Sequence, residues 1–173
     1  MKKMYITGTS GTGKTTIAKA LNDSGIYSFD IDSIPNLCHW ENKESGKKAD
    51  WSPGIGAAWI KAHNWICDPV MLKNILDEQT KDVVITGIAS NQDEYLDLFD
   101  KVFLLQSTEK TFIERILKRE DNDFGKDSSE QKIILGYYKD FEKSLLAKGA
   151  ISIDTENSVD TTVKTIISYL KEE

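Results

Sequence analysis

The sequence predicts an α/β protein with three layers, in which helices cover both faces of a five-stranded parallel sheet. Short apolar stretches alternate along the chain with segments of helical periodicity, as in proteins with parallel sheets. The first apolar stretch runs into a glycine-rich turn that opens a helix, which is how a βαβ unit begins. A length of 173 residues suits one unit, so we expect a single domain over residues 1–173.

The predicted elements follow one another in a regular order. Strands are expected where apolar, β-branched runs occur, at residues 3–7, 26–31, 82–86, 101–106 and 150–154. Helices are expected at residues 14–23, 57–66, 70–78, 93–99, 108–119, 130–148 and 158–171. Ser107 is expected to cap the helix over 108–119, and Gly149 to end the helix over 130–148.

Two long connections interrupt this alternation. They are residues 33–79, here called the insertion, and residues 120–129, here called the lid loop. In open α/β sheets ligands bind beyond the carboxyl ends of the strands, where such connections lie. We therefore expect the insertion to bind substrate and the lid loop to cover the site.

The composition excludes several classes of protein. The chain has 22 Lys and Arg residues against 28 Asp and Glu, and a net charge of −6 disfavours unspecific binding to nucleic-acid phosphates. No apolar run approaches the ~20 residues of a membrane helix, and no signal-peptide pattern opens the chain. Cys38 and Cys67 are too few for a disulfide scaffold. We expect a cytoplasmic monomer or homodimer that binds a small molecule and has neither nucleic acid nor membrane as partner.

The most specific pattern is Gly8-Thr9-Ser10-Gly11-Thr12-Gly13-Lys14-Thr15, followed by Thr16. It fits G-x-x-x-x-G-K-[ST], the Walker A phosphate-binding motif, between a predicted strand and a predicted helix. Glycines let successive backbone N–H groups point at an anion, and the helix N-terminus favours negative charge. Lys14 supplies a charge for the outer phosphates, and the Thr15 hydroxyl is a ligand for Mg²⁺. The residues expected to bind nucleotide are Gly8, Ser10, Gly11, Thr12, Gly13, Lys14, Thr15 and Thr16.

A pair of acids ends the second predicted strand, Asp30 and Asp32. Residues two apart in an extended strand face the same side, so both carboxylates are expected to project over the phosphate loop. One can serve Mg²⁺, directly or through water, and the other can take the proton of a substrate hydroxyl. The alternative is a pair of ordinary surface acids in a turn.

Only two basic residues are arginine, Arg115 and Arg119, and their spacing of four places both on one face of the predicted helix. The guanidinium fork matches phosphate oxygens, so we expect both to stabilise charge on the transferred group. The alternative is a solvated helix face paired with neighbouring acids. The polar lid loop follows; we expect it to lack apolar residues that pack it down, to be mobile without ligand and to close over nucleotide.

The phosphate loop, the D-x-D strand end, the insertion and the lid arginines together resemble the P-loop NTPases, in the shikimate kinase-like and adenylate kinase-like branch. The resemblance covers most of the chain in element order, but only the phosphate loop is a highly specific motif. It implies a strand order of 2-3-1-4-5. It also implies that Asp30 is the Mg²⁺-side acid, that Asp32 is the substrate-side acid and that Gly87 lies near the substrate.

The insertion departs from that family, whose members hold anionic substrates with arginines there. It contains no arginine and instead holds all four tryptophans, Trp40, Trp51, Trp59 and Trp65. Aromatic faces and indole N–H groups suit a flat, uncharged ring. We expect at least one tryptophan to line the acceptor pocket, although each one singly fits the core or rim of a small subdomain better.

Two further patterns have open interpretations. Cys38, His39, His63 and Cys67 include a pair spaced i, i+4 on a predicted helix, so a tetrahedral zinc site is one alternative and buried thiols with hydrogen-bonded imidazoles the other. Residues 154–157 follow the last predicted strand and are a candidate contact for the adenine base, or a plain loop.

These observations predict an ATP-dependent kinase, a transferase with ATP and Mg²⁺ as cofactors and a small-molecule hydroxyl as acceptor. Lys14, Asp32, Arg115 and Arg119 are the expected catalytic residues, and Thr15 and Asp30 the expected metal ligands. The alternative is a regulatory nucleotide-binding protein with slow hydrolysis and no acceptor. A third alternative is an activity on RNA or on a protein, of which the RNA version is disfavoured by the acidic charge.

Overall fold

The computed structural model describes residues 1–120 and 122–171. The strands are β1 (Lys3–Thr7), β2 (Ser28–Asp30), β3 (Cys38–Asn42), β4 (Lys48–Ala49), β5 (His63–Cys67), β6 (Val83–Thr86), β7 (Lys101–Gln106) and β8 (Ile151–Asp154). The α-helices are α1 (Lys14–Asp23), α2 (Ala57–Ala62), α3 (Pro69–Asp77), α4 (Glu109–Lys118), α5 (Ser128–Ala147) and α6 (Val159–Lys171).

The main sheet has five parallel strands in the order β2-β6-β1-β7-β8. Counted among the strands of this sheet alone, the order is 2-3-1-4-5, which is the order that the resemblance implies. The predicted fold class is confirmed. All five strands end at the same edge of the sheet, so the segments that follow β1, β2, β6, β7 and β8 meet there.

Alternate side chains of the central strands enter two separate cores, as strand geometry requires. Met4 and Ile6 lie in one core with apolar residues of α1 and α6, whereas Tyr5 lies in the other with residues of β2 and α3. Each of these three side chains is fully buried. A third cluster joins α4 to α5 through Phe112 and Ile134. Burial of this kind stabilises by about 25 cal/mol per Å² of apolar surface, and it fixes the sheet edge that carries the site.

The insertion folds around a second, antiparallel sheet in the order β4-β3-β5. The predicted helix over 57–66 is therefore wrong beyond Ala62, because residues 63–67 pair with residues 42–38 as strand β5. Trp65 and Ile66 favour strands once a partner strand is available. A pairing with residues about 25 positions away is a tertiary contact that local periodicity does not contain.

The second strand of the main sheet is shorter than the predicted 26–31. It stops at Asp30 because the Asp30 carboxylate accepts the backbone N–H of Asp32 at 3.0 Å and the Ser33 hydroxyl donates to the Asp30 carbonyl at 2.6 Å. These local bonds compete with the strand ladder and form a 3₁₀ turn over Ile31–Ser33.

Two other elements of the structure also differ from their predictions. Thr108 and not Ser107 caps α4, since its hydroxyl accepts the N–H of Thr111 at 3.2 Å. The predicted helix over 93–99 is a pair of 3₁₀ turns, Gln92–Glu94 and Leu96–Leu98. No helix among the described residues is long and apolar enough to span a membrane.

Candidate functional site

The phosphate loop connects β1 to α1 and is shaped by its glycines. Gly13 has a φ of 100° at the N-terminus of α1, a conformation that favours glycine. At Gly11 a Cβ would lie 2.4 Å from the Phe112 carbonyl oxygen of α4, so no side chain fits there. The Thr12 hydroxyl donates to the Thr9 carbonyl at 2.8 Å and braces the turn. The Lys14 ammonium donates to the carbonyls of Gly8 at 2.7 Å and Thr9 at 3.0 Å.

A cavity of about 340 Å³ opens between this loop, α4 and the segment after β8. Its lining includes most of the predicted nucleotide-binding residues and both arginines: Gly11, Thr12, Gly13, Lys14, Thr15, Thr16, Arg115 and Arg119. Thr155 and Asn157 line it as well, which places the predicted base-side segment at the same cavity. Gly8 and Ser10 were also predicted to bind nucleotide but are not among the lining residues.

Arg115 joins α4 to the base side of the cavity. Its guanidinium donates to the Thr155 hydroxyl at 3.1 Å and to the Thr155 carbonyl at 2.8 Å. Two hydrogen bonds hold the guanidinium in one place at the cavity lining, and a guanidinium can stack on an aromatic ring. The structure therefore places Arg115 beside Thr155 in the lining of the cavity rather than in a solvated helix face.

Arg119 lies where α4 ends. It is the C-cap of the helix with an extended backbone, so the prediction that both arginines share one helical face is wrong in detail, although both line the cavity. Its Nε donates to the Asn122 carbonyl at 2.9 Å, and its Nη2 donates to the Phe124 carbonyl. Arg119 thus bridges the cavity and the lid loop.

Asp30 lies beside the phosphate loop, as predicted. One of its carboxylate oxygens accepts the Thr15 hydroxyl at 3.2 Å and the Thr86 hydroxyl at 3.1 Å. Thr86 ends β6, and the sequence analysis did not single it out. Hydroxyl and carboxylate oxygens are the donors that Mg²⁺ prefers, so Thr15 and Asp30 fit that ion.

Asp32 does not follow an extended strand, contrary to the prediction, but the 3₁₀ turn still brings it beside Asp30. The Trp65 indole N–H donates to the Asp32 carboxylate at 3.0 Å. Desolvation in the cleft, followed by the charge of Asp30, raises the pKa of Asp32 to about 6, against the opposing effects of Trp65 and Lys14. A carboxylate with this pKa is ionised at neutral pH and can still accept a proton.

The charge of Lys14 is also tuned by its surroundings. Desolvation in the loop lowers the pKa of the Lys14 ammonium to about 8, with a smaller contribution from the charge of Arg119, while Asp30 and Asp32 oppose the shift. An anionic phosphate beside this ammonium would favour its charged form.

Three tryptophans of the insertion, Trp40, Trp59 and Trp65, form one half-buried cluster. The Trp40 ring centroid lies 5.3 Å from that of Trp59 and 5.5 Å from that of Trp65. The ring of His63 stacks on Trp59 at 3.9 Å. Because Trp65 also donates to Asp32, the cluster directly contacts the carboxylate predicted to lie on the acceptor side.

The four residues of the alternative zinc site do not assemble. Cys38 faces Cys67 across the β3–β5 pair, but His63 lies four positions away along β5, about 13 Å at strand rise. His39 follows Cys38 and so points to the opposite face of the sheet. Among the described residues no group of three or more His, Cys, Asp or Glu side chains could hold a metal ion.

The lid loop contains an apolar anchor, so the prediction that it lacks one is wrong. Asp121 lies outside the described residues. The Phe124 ring lies 6.1 Å from Trp40 and 6.0 Å from Trp51, and it packs against the α4–α5 cluster. The buried carboxylate of Glu130 accepts the N–H of Gly125 at 2.6 Å and the indole N–H of Trp51 at 3.3 Å. The only sequence signal for this arrangement was a lone phenylalanine in a polar loop.

Gly87 follows β6, where the resemblance implies a glycine near the substrate. A Cβ there would lie 2.3 Å from Ile31 Cγ1, so the glycine permits close packing of the 3₁₀ turn that carries Asp32. Its observed contact is with this turn.

Comparison with solved structures shows the same fold. A deoxyadenosine kinase from M. mycoides with bound dATP superposes with a TM-score of 0.56 at 18% identity, covering 99% of this chain and 100% of the other. A shikimate kinase from Acinetobacter baumannii in complex with shikimate gives 0.60 at 16% identity, covering 99% and 96%. TT1252 from Thermus thermophilus gives 0.58 at 14% identity, covering 99% and 98%.

The comparison with curated proteins found no significant match. In the scan against protein families, the family described as AAA domain matches residues 5–136. This match spans more than half of the chain and includes the phosphate loop, both acids, the insertion and the lid loop. The chain therefore belongs to the AAA domain family.

Proposed function

We propose that the protein transfers the γ-phosphoryl group of ATP to a hydroxyl of a small, uncharged, ring-bearing molecule such as a nucleoside. The observation that carries this proposal is the position of Asp32. Its carboxylate lies beside the Thr15–Asp30 pair and is held by the Trp65 indole at 3.0 Å. A proton acceptor thus lies between the phosphate loop and an aromatic surface.

The cavity supports the nucleotide half of the proposal. Phosphates would lie over the N-terminus of α1, with the Lys14 charge and backbone N–H groups around them. Arg115 and Thr155 lie on the base side of the same cavity. Thr15 and Asp30 would hold Mg²⁺, which supplies charge neutralisation at the phosphates when bound.

The proposed reaction has a simple balance of atoms. The acceptor oxygen forms a bond to the γ-phosphorus as the bond from that phosphorus to the β,γ-bridging oxygen breaks, and ADP leaves. The hydroxyl proton goes to the Asp32 carboxylate, whose pKa of about 6 suits a base at neutral pH. Lys14 and Arg119 stabilise charge on the transferring group.

The distribution of arginines supports an uncharged acceptor. Both line the nucleotide cavity, and the insertion has none. A phosphate or carboxylate on the acceptor would thus lack a guanidinium partner there, whereas an uncharged ring could stack on the indoles. The nucleoside class also agrees with the neighbouring structure described as a deoxyadenosine kinase.

A transfer screen tests the proposal. Purified protein with Mg²⁺ and [γ-³²P]ATP is offered nucleosides, deoxynucleosides, sugars and shikimate, and labelled products are separated from free phosphate. We expect label on an uncharged ring compound. Asp32→Asn should reduce this transfer by on the order of 10²-fold because it removes the proton acceptor.

The matched control is Asp23→Asn, the same change at an exposed residue that ends α1, outside the cavity lining. It should transfer like the wild type. Label found only in free phosphate would favour the regulatory NTPase, and full transfer by Asp32→Asn would remove Asp32 from the proposed reaction.

A further inference from the structure

We propose that Phe124 is a positioning residue that couples the acceptor side of the site to Arg119 on the nucleotide side. The inference rests on the proposed function, since it links the two half-sites of that reaction. Phe124 is the lid-loop residue that contacts the aromatic cluster through its ring and the cavity arginine through its backbone.

The ring of Phe124 belongs to the aromatic cluster of the insertion. It lies 6.1 Å from Trp40 and 6.0 Å from Trp51, at interplanar angles of 46° and 69°. Trp40 in turn lies 5.5 Å from Trp65, which donates to Asp32. Aromatic pairs at these separations are in contact and prefer tilted geometries. A continuous path of contacts therefore runs from the acceptor-side carboxylate to the lid loop.

The backbone of Phe124 belongs to the nucleotide side. Its carbonyl accepts Arg119 Nη2, and the neighbouring Asn122 carbonyl accepts Arg119 Nε at 2.9 Å. The Asn122 side chain also accepts the Phe124 N–H at 2.8 Å, which makes the turn compact. When phosphate oxygens engage the guanidinium, the carbonyls bonded to it must adjust, and the Phe124 ring moves with them.

Glu130 fixes the other end of this segment. Its carboxylate is 2% exposed and accepts from Gly125 and from Trp51. Gly125 is held by Glu130 in the first turn of α5, so the backbone after Phe124 cannot shift easily. A displacement of the Phe124 backbone therefore moves the Phe124 ring. Binding at one half-site then biases the other, and such coupling is reciprocal.

The tryptophans provide a reporter for this coupling. All four lie in residues 40–65, and among the described residues that line the nucleotide cavity none is a tryptophan. Nucleotide could still affect Trp65 directly through Asp32, so the measurement uses a Trp65→Phe background. Any emission change there comes from Trp40, Trp51 or Trp59.

The experiment titrates this variant with Mg²⁺ and the non-hydrolysable ATP analogue AMP-PNP, recording tryptophan emission and, in parallel, heat of binding. We expect a saturable emission change that follows the calorimetric binding curve. Adding Phe124→Leu should remove most of that change while the calorimetric Kd stays within about threefold. Adding Leu117→Ala, a change at a 53% exposed apolar residue of α4, should leave both unchanged.

A second variant interrupts the same path of contacts at another residue, so the test does not depend on whether Phe124→Leu folds. Arg119→Lys leaves the ring in place but loses the paired bonds to Asn122 and Phe124, so it should also silence the emission change at saturating nucleotide. An unaltered emission change in either variant overturns the coupling, as does calorimetric binding with no emission change in the background protein. Absence of calorimetric binding in the wild type would instead overturn the proposed function itself.

Discussion

The proposed nucleotide side and the proposed acceptor side of this cleft are built in different ways. The nucleotide side consists largely of backbone and of residues close in sequence: Lys14 bonds to carbonyls five and six positions away. The acceptor side consists of side chains brought from far apart, since Asp32 and Trp65 are 33 positions apart and Trp51 and Glu130 are 79 apart. The first depends on a local turn, the second on the packing of the insertion and lid loop. Substitutions on the nucleotide side should therefore change nucleotide binding, whereas those on the acceptor side should change turnover and its pH dependence.

The largest effect is expected on the nucleotide side. Lys14→Ala should remove most of the stabilisation that Mg·ATP confers, which for a ligand at 100 times its Kd is about 2.7 kcal/mol. In a protein of this size that corresponds to a shift of the melting temperature by roughly 5–10 °C. Thermal unfolding with and without Mg·ATP measures it, with Lys19→Ala, on an exposed position of α1, as the control. An undiminished shift in Lys14→Ala would place the nucleotide elsewhere.

Arg119 lies between the two sides, so its substitution should lower turnover more than affinity. Arg119→Lys keeps the charge but loses the fork that meets the lid carbonyls and, in the proposed reaction, would meet phosphate. We expect kcat to fall about tenfold or more while the nucleotide Kd changes only a few-fold. Steady-state kinetics and calorimetry on the same preparation separate the two. Equal losses in both would mean that Arg119 acts only in ground-state binding.

The pKa of Asp32 should determine the acid limb of the pH profile of kcat/KM. Asp32 must be ionised to accept a proton, so kcat/KM for ATP should fall about tenfold per pH unit below its pKa of about 6. Loss of the Lys14 charge should lower it again above about pH 8. A profile measured with Asp32→Asn should lack the acid limb.

Stability should respond to the same group with the opposite sign. The pKa of Asp32 is raised in the folded state from 3.8 to about 6, so folded protein holds this proton more tightly than unfolded protein. Its contribution to stability is present at low pH and is lost as pH rises through about 6. Because Asp32 is partly exposed, solvent screens the effect, so Asp32→Asn should melt only slightly higher than the wild type at about pH 8, and this advantage should vanish near pH 4. A lower melting point at pH 8 would contradict the raised pKa.

The smallest effect is expected from the indole that holds Asp32. The Trp65 N–H lowers the pKa of this carboxyl, so Trp65→Phe should shift the acid limb upward. One hydrogen bond is worth about 1 kcal/mol, which corresponds to less than about one pH unit. Trp59→Phe, within the same cluster but without a bond to Asp32, is the matched control. An unmoved limb would assign the pKa of Asp32 to desolvation and Asp30 alone.

The position of the phosphate loop between a strand and a helix could be predicted from the sequence because its determinants are local. The phosphate loop specifies its own turn, and the apolar strands specify the sheet in which it sits. The secondary structure of residues 63–67 could not be predicted, because their strand conformation depends on pairing with residues 38–42. The 3₁₀ turn after Asp30 could have been predicted, since Asp and Ser at that spacing form such bonds readily. A lone phenylalanine in a polar loop was a weak signal, and it could not show that Phe124 contacts Trp40 and Trp51, since three separate segments meet there.

The close approach of Gly11 to α4 also fixes the distance between the phosphate loop and that helix. A Cβ at this position would meet the Phe112 carbonyl oxygen at 2.4 Å, and no rotamer change relieves a collision with backbone. The spacing between the phosphate loop and the helix that carries Arg115 is thus defined by main-chain atoms, independent of the outward side chains of α4. Substitutions at those outward positions should therefore leave the spacing between the loop and the α4 backbone unchanged.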